Sequence, residues 1–198
     1  MNYSMKTFFF SGLLATFTLT SASAADLTAK GLELGLNMAN FHGTDAQPAG
    51  VTNSSRAGVS VGAFSVWGFT DKLSLQSEAL YIQKGVTRQI SGTNTPVTLS
   101  YLEIPMTMQY SFPVSGLKLN LFGGPYMGVL LSADSNGTDI KSTTKTLDYG
   151  MQFGVGTIIK KKYLFDARYS MGLASIDNSG SSADMKNSGI LVTSGYLF

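Results

Sequence analysis

The sequence predicts an all-β fold: a single antiparallel up-and-down β-barrel of about eight strands over residues 25–198, behind a cleaved export signal at residues 1–24. Three observations predict it. Apolar and polar residues alternate with period 2 through most of the chain after residue 30. The connections between alternating stretches are by turns long and short. Helical spacing is absent, which leaves no room for crossover helices, so neighbouring strands should pair antiparallel.

The N-terminal segment Met1–Ala24 carries Lys6, an apolar run Thr7–Leu19 and the small-residue end Ser21-Ala-Ser-Ala24. Ala22-x-Ala24 fits a signal peptidase, so cleavage is expected after Ala24. The apolar run is short for a retained membrane span.

The first predicted strand is Gly31–Asn40, with Leu32, Leu34, Leu36 and Met38 opposite Gly31, Glu33, Gly35 and Asn37. Phe41–Ser55 reads as a long loop. The second strand is Arg56–Trp67, where Phe64 and Val66 break the phase set by Val59 and Val61, through a bulge or a mixed face. Phe69–Lys72 is a tight turn. The third strand, Leu73–Lys84, puts Gln76, Glu78 and Lys84 in phase with Leu80 and Ile82, with Lys84 near a rim. Gly85–Pro96 reads as a second long loop.

The fourth and fifth strands form the clearest hairpin. Leu102, Ile104, Met106, Met108 and Tyr110 lie opposite Tyr101, Glu103, Thr107 and Gln109. The turn Ser111–Gly116 follows, then Leu117, Leu119 and Leu121 against Lys118 and Asn120, to about Leu131. Pro105 removes a ladder donor, so a bulge or local break is expected there. Ala133–Lys145 is a third long loop. The sixth strand is Leu147–Ile159, Lys160–Lys162 a short turn, and Tyr163–Leu173 the seventh strand. Ala174–Lys186 is a fourth long loop. The last strand carries Ile190, Val192, Tyr196 and Phe198 in one phase.

Composition narrows the class. There is no cysteine, so an exported chain of this size relies on backbone pairing, burial or a membrane instead of disulfides. The formal net charge is +2, or +1 once Lys6 is removed, too balanced to imply nucleic acid or an anionic lipid surface. No later run approaches the ~20 apolar residues of a membrane helix.

Which face points outward separates a soluble lipocalin-like barrel from a membrane barrel, where the faces are inverted. The polar phase is Gly, Ser, Asn, Gln and a few acids, unlike the Lys/Glu-rich surface of a soluble protein. Trp67, Tyr81, Tyr110, Tyr149, Tyr163 and Phe198 lie near strand ends in the apolar phase, as interfacial girdles would. Tyr196 and Phe198 resemble the ending read by the barrel-assembly machinery. The expectation is a transmembrane barrel with four external loops.

Glu78-Ala-Leu-Tyr-Ile-Gln-Lys-Gly85, Tyr101-Leu-Glu-Ile-Pro105, Gly123-Gly-Pro-Tyr-Met-Gly128, Asp148-Tyr-Gly150 with Gly154-x-Gly156, and Arg168-Tyr-Ser-Met-Gly-Leu173 occur in that order. This series resembles the PorT-type outer membrane β-barrel family of Gram-negative bacteria, over nearly all of the mature chain. The resemblance implies an eight-strand outer-membrane barrel with no enzyme activity and no single role.

The inward phase gathers Glu33, Glu78, Glu103, Lys118, Asp148, Asp166 and Arg168. Ions in a narrow lumen must be paired, so these are expected to form a structural polar network, with Arg168 meeting at least one acid. His42 is the sole histidine and is expected in a solvated loop, without a nucleophilic triad. Asp134–Asp139 lacks the distal Glu of a calcium loop and reads as a turn. No catalytic residue, cofactor or metal is expected. Expected partners are outer-membrane lipid and the assembly machinery, not nucleic acid. The chain is expected as a monomer, with any extracellular or periplasmic protein partner unnamed. A structural or surface-interaction role through the loops is the first functional expectation. A narrow channel or transport accessory is the alternative.

Overall fold

A computed structural model describes residues 25–114, 117–181 and 183–198. The expected signal Met1–Ala24 lies outside them. The strands are β1 (Asp26–His42), β2 (Val51–Gly68), β3 (Leu73–Ile90), β4 (Thr93–Val114), β5 (Leu117–Ser135), the two-residue β6 (Thr138–Asp139), β7 (Leu147–Ile159), β8 (Tyr163–Gly172) and β9 (Lys186–Leu197). Each long strand pairs antiparallel with its sequence neighbour, and β1 pairs with β9, closing a ring of eight. β6 only extends the tip of β5.

The pleat sorts the side chains. Along β4, Leu102, Ile104, Met106, Met108 and Tyr110 are exposed, and Tyr101, Glu103, Pro105, Thr107 and Gln109 are buried. The same inversion holds round the ring: Leu34 is 67% exposed while Glu103 and Asp148 are fully buried. A row of registered partners, Val59–Leu36–Val192–Ala167–Val155–Leu121, carries an apolar band across six strands. Outside is apolar and inside is polar, as lipid on one side and a packed lumen on the other require.

Two expected irregularities take their milder form, without a bulge: the β3–β4 ladder skips Ile104 and Pro105, and Phe64 and Val66 give β2 a mixed inner face. The register is the same on both sides of Pro105, and the shift in the β4–β5 ladder lies at Ser100/Tyr101. β2 keeps its pleat through Phe64 and Val66, which point into the lumen as a mixed inner face; its irregularity lies between Ser55 and Ser60. The expected loop Gly85–Pro96 is a hairpin. β3 and β4 pair to Ile90↔Thr93 across a two-residue turn, Ser91 and Gly92, both with left-handed φ (50° and 82°). Above the bilayer the sheet needs no apolar outer face, so alternation fades while pairing continues.

Strand lengths differ around the ring. β2, β3, β4 and β5 have 18, 18, 22 and 19 residues, against 13, 10 and 12 for β7, β8 and β9. A crossing needs about 9–11, so the first group stands above the bilayer as a wall. The short connections are Phe69–Lys72, the link from Val114 to Leu117, and Lys160–Lys162. Thr70 Oγ1 staples the first by accepting from the backbone N–H of Lys72 and Leu73 (3.3 and 3.0 Å). Bacterial barrels place short turns in the periplasm, which puts the tall wall and long loops outside.

Candidate functional site

The lumen is filled by two groups of side chains. The first is polar and is built from inward positions of seven strands, all but β2 of the eight in the ring. Gln109 Nε2 donates to Gln76 Oε1 (2.7 Å), and Gln76 Nε2 donates to Glu78 Oε1 (2.6 Å). Arg168 Nη1 lies 2.8 and 2.7 Å from the two oxygens of Glu78. Its Nε and Nη2 grip Asp166 in a fork, at 3.0 and 2.8 Å. Thr193 Oγ1 also donates to Asp166 (2.7 Å). Glu33 lies 3.9 Å from Arg168 Nη2.

Gln152 links this cluster to a second one. Its Oε1 accepts from Arg168 at 3.4 Å, and its Nε2 donates to Glu103 at 2.6 Å. Lys84 Nζ then bridges Glu103 (2.5 Å) and Asp148 (3.0 Å). Asn187 Nδ2 and the Tyr126 hydroxyl donate to the same Asp148 oxygen, Oδ2, at 3.0 and 3.4 Å. The Lys84 ammonium sits 4.2 Å from the Tyr126 ring centroid, and the Arg168 guanidinium 5.3 Å from that of Phe122. Two cations thus serve five carboxylates in a filled lumen, where charge-assisted bonds offset much of the cost of burial, while both Glu33 oxygens and Asp148 Oδ1 make no hydrogen bond within the described residues.

An apolar cluster shares the lumen. Leu80, registered with Glu103, and Ile82 precede Lys84 on β3 and pack beside the polar network, and Val86, Leu99, Leu130 and Leu191 carry the same cluster to Phe41 and Ile176. Loops lie over that cluster on the low side of the wall. The backbone N–H of Asp45 donates to the Asp184 carbonyl (3.2 Å), and that of Asp184 donates to Asp45 Oδ2 (2.8 Å), joining the β1–β2 and β8–β9 connections. Lys145 N–H donates to the Ile176 carbonyl (2.8 Å) and Asn178 N–H to that of Thr143 (2.9 Å), tying in the segment before β7. A cavity of about 310 Å³ remains between these loops and the β3–β4 wall, lined by Phe41, Arg88, Val97, Ile140, Ile176 and Met185 among others. Burial pushes the Arg88 guanidinium below its usual value. At the other end a vestibule of about 830 Å³ opens between the periplasmic turns and reaches Gln109, Ser111 and Asn120.

The structure brings together Glu33, Glu78, Glu103, Asp148, Asp166 and Arg168 of the expected network. Lys118 is a correction: it shares the inward phase, but it lies at the periplasmic rim, exposed, with Nζ donating to the Asp71 carbonyl (3.0 Å). Lys84, expected near a rim, lies at the centre, because β3 runs on to Ile90. Gln76, Gln152, Asn187, Thr193 and Tyr126 are members that the sequence reading missed, though inward phase alone could have flagged Gln76 and Gln152. Tyr196 and Phe198 are both exposed; Tyr196 meets Tyr163 edge-on at 5.8 Å, and Lys30 sits 5.7 Å from the Phe198 ring. His42, expected in a solvated loop, ends β1, its Nε2 3.0 Å from the Gly172 carbonyl oxygen. Asn136 and Gly137 form a left-handed turn between β5 and β6, with Asp134 Oδ1 accepting from Gly137 N–H (3.0 Å).

A closed eight-strand ring with lipid-type residues outside and paired ions inside defines a membrane-spanning barrel of the bacterial outer membrane. The chain belongs to the outer membrane protein beta-barrel domain family, whose model matches residues 25–178. Among solved structures it is similar to Neisserial surface protein A (NspA), with 16% identity, a TM-score of 0.55, and coverage of 85% of this chain and 97% of that one. OprG from Pseudomonas aeruginosa matches at 11% identity and a TM-score of 0.49, over 88% and 98% of the two chains. Ail, the attachment invasion locus protein of Yersinia pestis, matches at 12% and 0.46, over 86% and 98%. The likeness to NspA is one of fold. No curated protein sequence matches the chain.

Proposed function

We propose that this outer-membrane barrel is a sealed, non-enzymatic wall element that works as a monomer through its external end, not through its lumen. The observation that carries the reading is the side-chain bridge across the lumen: Arg168 on β8 holds Glu78 on β3, and Gln152 joins that pair to Lys84, Glu103 and Asp148. A solute entering from the vestibule meets Gln109, Gln76 and then this network, with the apolar cluster beside and beyond it. Separating these buried ion pairs costs several kcal/mol, which opposes passage. What stays free to make contacts is the outer rim: the β3–β4 hairpin and the laced loops. Tyr101–Pro105 and Gly123–Gly128, strand segments facing lumen and lipid, support the finer placing among PorT-type barrels.

Purified protein in planar bilayers tests the seal. The expected result is no stepwise conductance at ordinary holding potentials. Reproducible single-channel openings from the wild-type chain would overturn the reading in favour of a narrow channel.

A further inference from the structure

We propose that the external cavity is a binding site for a small amphipathic carboxylate, with Arg88 receiving the carboxylate and the walls around Phe41 receiving the apolar body. The inference rests on the reading that this barrel works through its outer end, and it names a ligand class for that end.

Arg88 is the reason. It is half-buried on the upper part of β3, and its Nε is buried with no hydrogen-bond partner. Among the described residues no carboxylate lies within salt-bridge distance of it, although the lumen below pairs both of its cations. Its Nη2 contacts only the Met185 thioether sulfur, at 2.8 Å, a weak acceptor. The Phe41 ring lies 5.8 Å from the guanidinium carbon. A five-donor fork in such a setting has donors free for an anion that presents two oxygens.

The acid nearest at hand does not supply it. Asp177 also lines the cavity, but its carboxylate already accepts from the Ser179 N–H and hydroxyl (3.2 and 2.7 Å), the Ser181 hydroxyl (2.9 Å) and the Ala183 N–H (3.3 Å). The planar fork of arginine matches a carboxylate in two parallel bonds. An inorganic anion would leave the rest of the space unfilled. Val97, Leu99, Ile176 and Met185 line it, and about 310 Å³ is at the small end of ligand sites. The lining is mixed, with Ser135, Thr143, Thr144 and Asp177 on one side and the apolar residues with Arg88 on the other, and that second side fits a ligand with one carboxylate and an aliphatic or aromatic body.

The test uses the full chain in lipid nanodiscs, with ¹³C-methyl methionine as the probe. Met185 reports the cavity. Met38, Met106, Met108 and Met127 face lipid and report partition into the bilayer. Octanoate is titrated beside octanol, which lacks the charge, and acetate, which lacks the body. The expected result is a saturable shift of the Met185 methyl with octanoate, at least about tenfold weaker for either control. Arg88→Gln is expected to weaken octanoate by the same factor and leave octanol unchanged. Arg88→Lys, which keeps the charge and loses the fork, should weaken octanoate several-fold. Equal response to octanol, a response confined to lipid-facing methyls, or unchanged octanoate binding in both variants would overturn the site. The conductance result is independent of all three.

Discussion

Arg168 and Glu78 sit on opposite walls of the barrel and touch. Going round the ring from β3 to β8 passes β2, β1 and β9 one way and β4, β5 and β7 the other, so the two strands are diametric. Arg168 Nη1 still lies 2.8 and 2.7 Å from both Glu78 oxygens. Only a lumen as narrow as an eight-strand barrel allows this. Arg168→Ala would leave Glu78 and Asp166 buried without their cation. The expected loss is about 3–5 kcal/mol of stability, read as a lower urea midpoint for the protein refolded in lipid vesicles. A loss under about 1 kcal/mol would mean that water, and not Arg168, satisfies these acids.

Glycines line the inner face where large side chains cross it, and Gly154 shows why. A Cβ built there would lie 2.5 Å from Phe122 Cζ and 2.6 Å from the Ala167 carbonyl oxygen. Gly154→Ala is expected to destabilise by about 1–3 kcal/mol through overpacking. Phe122→Leu should recover part of that loss, because it withdraws the ring. A double-mutant cycle on unfolding free energies checks the coupling, and additive effects would contradict it.

The strands were legible because lipid enforces alternation. Leu147–Ile159 has the same bounds in the sequence reading and in the fold. Legibility ended where lipid ends. Gly85–Pro96 is paired but sits above the bilayer, so Thr87, Gln89, Asn94 and Thr95 carry no period that separates strand from loop. Misreading it placed Lys84 at a rim. The parity of Lys118 was right, but parity gives a face and not a depth. The luminal apolar residues Leu80 and Ile82 were visible only as a flaw in the third strand's pattern, because the partners that bury them, Leu99 and Tyr101 on β4 and Leu191 on β9, meet them only in the closed ring. The Arg88 cavity could not be read at all. Its walls come from β1, β3, β4, the end of β5 and two distant loops, and only the closed fold brings them together.

The lipid-facing band can be probed by depth. Leu36 lies in mid-band, registered with Val59 and Val192, whereas Leu27 pairs with Trp67 at the periplasmic girdle. Leu36→Arg is expected to cost about 2–4 kcal/mol and Leu27→Arg about 0–1 kcal/mol. Urea unfolding of both variants in lipid vesicles checks the order. Equal costs would contradict the placing of the bilayer.

Strong acid should loosen the outer loops through Asp184 and Asp177. The ion pair with Lys186, and then the Thr44 N–H at 3.4 Å, hold the Asp184 carboxyl below the usual aspartate range. The Ser179 and Ser181 hydroxyls do the same for Asp177. A depressed folded-state value means that each contribution is complete above the ordinary aspartate value of about 3.9 and fades as pH falls through the lower folded value. Both groups are exposed, so their effect is on loop order and not on global stability. A ¹³C titration of the aspartate carboxyls should place both midpoints below the ordinary value, with the Thr44 amide shift following Asp184. Asp184→Asn should abolish the Thr44 response and leave the Asp177 midpoint in place, because the two carboxylates share no hydrogen-bond donor. A Thr44 amide that titrates unchanged in Asp184→Asn would show that the β1–β2 loop is held by something other than this latch.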